Sequence, residues 1–108
     1  MEIRKLPVNN QEESLFMHSM FGDVLENKGV DGTFNYVEIS GETRLPDEGW
    51  TSHEYDEFSL ILSGEIESNI DGEIYIVGPG EYTLIKKGTP HKSINHNTEA
   101  CKIISLLI

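Results

Sequence analysis

Residues 66–77 read IESNIDGEIYIV. Two short runs rich in isoleucine, valine and tyrosine flank an Asp71-Gly72 pair. Asp-Gly between β-prone runs is the strongest short-range sign of a two-residue hairpin, because both central positions of that turn need a positive φ. Outward from this hairpin the same grammar repeats. Turn pairs stand at Asp31-Gly32, Pro46-Asp47, Ser63-Gly64, Gly78-Pro79-Gly80 and Gly88-Thr89-Pro90. Between them lie TFNYVEIS, EFSLILS, EIESNI, EIYIV, YTLIK, HKSIN and CKIISLLI, all short and rich in β-branched or aromatic residues. Many short strands with frequent turn chemistry predict an all-β sandwich or barrel with little helix.

The chain has 108 residues, which suits a single domain with one modest core. No linker or repeat divides it. Residues 1–30 are expected to form an N-terminal arm. Within 11–28, QEESLFMHSMFGDVLENK, the apolar residues make no clean helical stripe, so extended structure with one helical turn is expected. The methionines here read as gap-filling core.

Eight Lys and Arg against 19 Asp and Glu give a formal net charge of −11. Such a chain repels phosphate backbones and anionic lipid, which excludes nucleic acid and membrane surface as expected partners. The one cysteine, Cys101, adjoins an apolar run and reads as a buried, inert thiol. No stretch has the character of a signal peptide or the length of a membrane span. The expected location is the cytoplasm.

Two polar clusters interrupt the pattern. Residues 51–57 read TSHEYDE and residues 80–95 read GEYTLIKKGTPHKSIN. On a strand, Thr51, His53, Tyr55 and Glu57 share one face. Two histidines and a carboxylate from separate strands form a donor set for a divalent transition metal. Glu57 should face the same way as Ser59 and Ile61, into the interior, where a carboxylate needs a cation or hydrogen-bond donors. Tyr55 has the parity of the ligands and is a candidate catalytic acid/base or substitute ligand; lying beside a bend, it also reads as an exposed rim residue. His96 is expected at the surface. Trp50 and Phe34 are expected to pack in the wall, Trp50 at the mouth.

Both stretches resemble the paired motifs of the cupin superfamily. The first motif, G-x5-H-x-H-x3,4-E-x6-G, is matched by His53, Glu57 and Gly64; the second, G-x5-P-x-G-x2-H-x3-N, by Gly80, Gly88, His91 and Asn95. Leu45 stands in place of the first glycine, Lys86 in place of the proline and Thr51 in place of the first histidine. The resemblance implies a cupin-like antiparallel jelly-roll β-barrel and a metal site of reduced ligand set, His53, Glu57 and His91. The implied cofactor is a divalent transition metal (Fe, Mn, Ni or Zn), and the implied partner a small-molecule substrate or ligand. Two functions are consistent with this: a metal-dependent oxygenase, isomerase or lyase, or a binding or sensing module with weak or no metal. The outward face of EFSLILS carries Phe58, Leu60 and Leu62, all apolar. Such a face needs a cover, which predicts a homodimer, with residues 11–25 folding over it as the alternative.

Overall fold

Nine strands and one short helix follow one another along the chain in the computed structural model, which describes all residues 1–108. They are β1 (Leu15–Ser19), α1 (Gly22–Asn27), β2 (Thr33–Ile39), β3 (Thr43–Leu45), β4 (Glu57–Ser63), β5 (Ile66–Ile70), β6 (Glu73–Val77), β7 (Tyr82–Ile85), β8 (His91–Asn95) and β9 (Cys101–Leu107). Every pairing is antiparallel. One sheet has the order β1-β2-β9-β4-β7 and the other β3-β8-β5-β6. The two sheets do not close on each other through a continuous ladder, and the arrangement is that of a jelly roll.

The hairpin at 66–77 forms as the sequence predicts. Ile66 pairs with Val77 and Ile70 with Glu73. Asp71 and Gly72 have φ of 50° and 100°, the positive values that a tight hairpin turn demands. The Asn69 side chain accepts from the Gly72 N–H at 2.9 Å and fixes the turn.

Strand β4 alternates as expected. Glu57, Ser59 and Ile61 face the interior, while Phe58, Leu60 and Leu62 face out and are exposed. The arm does not fold over that outer face. Its residues 15–19 instead extend the five-stranded sheet, with Leu15 opposite Ile39 and Ser19 opposite Asn35. The helical turn, six residues long, follows directly.

The core between the sheets comprises Val37, Ile39, Ile61, Ile66, Val77, Cys101 and Ile103. Only 12 residues in the whole chain are buried. The interior is therefore small for a reason: a cavity of about 310 Å³ occupies the space between the sheets. Burial pushes the Cys101 thiol up to about 11, which keeps it protonated and unreactive near neutral pH. No helix is long and apolar enough to cross a membrane.

Candidate metal centre

Thr51 and His91 exchange both backbone hydrogen bonds, each 2.9 Å, although they belong to separate motifs. This bridge sets the two polar clusters side by side. Further bonds hold the segment between Thr51 and β4. The Gly88 N–H donates to the His53 carbonyl at 2.8 Å. The Lys87 N–H donates to the Asp56 carboxylate at 2.8 Å. Asp56 and Ile108 exchange backbone bonds of 3.0 and 3.2 Å. A loop tied to three other parts of the chain positions its side chains firmly without being a strand.

The result is a cluster of His53, Glu57 and His91 whose ligating atoms all lie within 4.8 Å of one another. His53 Nε2 is 3.3 Å from one Glu57 oxygen, and His91 Nε2 is 4.0 Å from the other. Two donors held at about 2.1 Å by one tetrahedral ion stand about 3.4 Å apart. The first pair already has that spacing, and the second needs a small inward shift. The imidazole rings are 5.0 Å apart, tilted by 53°.

Orientation is fixed at His91. Its Nδ1 lies 2.9 Å from the Thr89 carbonyl, which can only accept, so Nδ1 carries the proton. The lone pair then sits on Nε2, the nitrogen that faces Glu57. Metal-binding histidines are commonly oriented by such a bond to a backbone carbonyl. His91 is buried, whereas His53 and Glu57 are partly exposed, so the cluster has one closed side and one open side. Thr51, paired with His91 across the bridge, lines the same cavity.

The structure does not bring Tyr55 to this cluster. Its phenol donates to the Asp31 carboxylate at 2.8 Å, in a separate depression shared with Glu54, Asp56, Lys86 and Lys87. The Asp31 carboxylate raises the phenol above the usual tyrosine range. The shared parity with His53 and Glu57 fails because residues 52–56 form no ladder. Trp50 is exposed, not wall packing, and its ring lies under the Lys92 ammonium at 4.3 Å. Phe34 stands opposite Leu106 on the sheet's outer surface. His96 is a surface residue paired with Glu67 at 3.1 Å. Lys86 is an exposed turn residue, and Leu45 lines the cavity.

Two motif residues have structural work that the spacing did not reveal. Asn95 is completely buried. Its side-chain NH2 reaches the carbonyls of Ile39, Ser40 and Glu99 at 3.0, 3.2 and 2.9 Å, and its oxygen accepts from the Asn97 N–H at 3.0 Å. It locks the turn after β8 to the end of β2. Gly64 has φ of 80°, and a Cβ there would lie 2.8 Å from the Ala100 carbonyl oxygen and 2.9 Å from Cys101 Cα. Both residues hold the approach to β9 and neither is a ligand.

The cupin-domain family model matches residues 34–107. The chain belongs to the cupin family. Solved structures share its fold at low sequence identity. The cupin domain of an XRE family transcriptional regulator from Enterobacter cloacae is 20% identical with a TM-score of 0.73, covering 88% of this chain and 96% of that one. A predicted oxalate decarboxylase from Thermotoga maritima is 18% identical with a TM-score of 0.72, covering 87% and 79%. A polyketide cyclase from Streptomyces resistomycificus is 17% identical with a TM-score of 0.71, covering 96% and 79%. No curated protein matches the chain.

Proposed function

We propose that this cupin is a metal-dependent enzyme acting on a small molecule in the cavity between its sheets, with His53, Glu57 and His91 holding a divalent transition metal. The observation that carries the reading is the bond from His91 Nδ1 to the Thr89 carbonyl, which turns the Nε2 lone pair toward Glu57 and His53. Two imidazoles and one carboxylate suit iron, manganese, nickel or zinc, and leave positions open for a substrate. When bound, such a metal supplies Lewis-acid polarisation of a substrate oxygen. The chain's own residues do the rest. Glu57 balances part of the metal's charge and accepts hydrogen bonds from substrate. Thr51 lines the same cavity. Ile61, Ile103 and Val37 line the cavity beyond and exclude water from it. An oxygenation, an isomerisation or an elimination is compatible with this arrangement. A predicted oxalate decarboxylase and a polyketide cyclase share the fold, as does the domain of a transcriptional regulator.

A second reading, a binding module with weak or no metal, is favoured by one observation. Thr51 lines the cavity where the motif's first histidine would stand, so the set lacks a nitrogen donor. Zinc calorimetry at fixed pH separates the two. The enzyme reading expects one zinc per chain, a tenfold or greater loss in His91→Ala, and tighter binding in Thr51→His. A folded protein that binds no zinc leaves the binding-module reading.

We propose further that two copies of the chain cover each other's outer sheet face. Leu84, Phe58 and Leu106 align across β7, β4 and β9, and Tyr82, Leu60 and Ile104 form the row beside them. An apolar surface of this extent supports an interface.

A further inference from the structure

The cavity that opens on the three donors has a feature that metal binding does not use. Thr83, Ser59 and Ser105 stand opposite one another on β7, β4 and β9, forming one row of hydroxyls across the sheet. On the facing sheet, Ser68 and Ser93 are cross-strand partners on β5 and β8. All five line the cavity. Asn35 continues the first row on β2, but its amide is occupied by Ser19 and Thr33.

Hydroxyls placed opposite one another on a sheet commonly bond to each other. These do not. The serine and threonine hydroxyls that donate are those of Ser19, Ser40 and Thr43, to Asn35, Glu13 and Gly41. The five cavity hydroxyls have no protein partner, and none is sealed away from the cavity space. A hydroxyl in apolar surroundings is unfavourable unless it is hydrogen-bonded. Five of them at middle depth therefore form a belt of donors and acceptors directed at whatever fills the space.

The rest of the lining limits what that is. No lysine or arginine faces the cavity, so away from the three donors nothing there neutralises an acid or a phosphate. The one charged group, Glu57, repels anions. No phenylalanine, tyrosine or tryptophan lines it either, which removes the stacking platform a free sugar would use. Eleven of the lining residues are hydrophobic. The volume, about 310 Å³, lies at the small end of the range for ligand pockets.

We propose that the cavity takes an uncharged, largely apolar molecule of about ten non-hydrogen atoms, at roughly 30 Å³ for each water-sized group. It carries hydroxyl or carbonyl oxygens on two sides, seated by Ser59, Thr83 and Ser105 on one and by Ser68 and Ser93 on the other. The inference rests on the reading of this cavity as the functional site, and it specifies the class of molecule that site accepts.

Three probes of similar size test it: orcinol, toluene and benzoate, titrated by NMR into EDTA-treated and zinc-loaded protein. Orcinol should bind the EDTA-treated protein at least tenfold more tightly than either of the others, and the zinc-loaded protein at least tenfold more tightly than toluene. The Ser59→Ala/Ser105→Ala variant should lose about tenfold for orcinol and leave toluene unchanged. Ser68→Ala on the facing sheet should lose about threefold by itself, and it serves as the reading if the double variant fails to fold. Benzoate binding the EDTA-treated protein as tightly as orcinol, no orcinol binding at all, or variants with undiminished orcinol affinity would overturn the proposal. The metal reading fails separately: absent zinc binding would sink it, while the EDTA-treated arm still decides the ligand class.

Discussion

Replacing Asn95 by alanine should cost stability and spare the metal site. Asn95 is 0% exposed and joins four backbone groups from two segments. In the alanine variant the Ile39 carbonyl, which faces Cys101 in the β2–β9 ladder, loses its buried side-chain donor. A lost buried hydrogen bond costs about 0.5–1.5 kcal/mol. The Ser40 and Glu99 carbonyls and the Asn97 N–H are in partly buried bonds, so water recovers much of what they lose. The missing amide also leaves a small void. Together these give about 2–4 kcal/mol. For a chain of this size each kcal/mol lowers Tm by about 4 °C, so the expected fall is about 8–16 °C. Differential scanning calorimetry measures it, paired with zinc titration well below the transition. Asn95→Asp should be at least as damaging, because it sets a carboxylate against three carbonyl oxygens. A Tm within about 3 °C of the parent, or a folded variant with weakened zinc binding, would refute the assignment of Asn95 as a lock on the β8–β9 turn.

Other predictions concern the backbone and the outer face. Gly64→Ala places a Cβ against the backbone of Ala100 and Cys101 at a φ of 80°, and should destabilise by about 3 kcal/mol or more in chemical denaturation; a loss below 1 kcal/mol would mean that β9 moves aside freely, at roughly the cost of the backbone conformation alone. Light scattering should give the mass of two chains, with Leu60→Lys shifting the population to one; a monomeric parent at tens of micromolar would refute the dimer.

Much of this fold is legible in the sequence because alternation and turn chemistry agree. EFSLILS keeps period two from Glu57 to Ile61, so its inward and outward faces follow from parity. The Asp71-Gly72 turn announces its own conformation. The motif spacing likewise brings His53, Glu57 and His91 together. What escapes is whatever depends on long-range backbone contact. Strand β3 is three residues long, too short for a pattern, and exists because β8 lies beside it. The extended character of β1 is legible in residues 11–28, but its place at the free edge of β2 is not. Tyr55 keeps the parity of its neighbours on paper, but the bonds of Gly88, Lys87 and Ile108 bend residues 52–56 into a loop and turn its ring to Asp31. Asn95 reaches carbonyls as distant in sequence as Ile39, and no local pattern encodes acceptors that belong to the main chain. The hydroxyl row needs the register of three strands at once, which emerges only when Ser59 is seen opposite both Thr83 and Ser105.

The central claim is that three side chains from two motifs hold one metal ion. Crystals grown from protein loaded with zinc and washed free of excess, with diffraction recorded on both sides of the zinc absorption edge, test it most directly. The account predicts one anomalous peak per chain, lying about 2.0–2.2 Å from His53 Nε2, His91 Nε2 and a Glu57 oxygen, and abolished by His91→Ala. A map without a peak among these three residues, from crystals in which they are ordered, would contradict it.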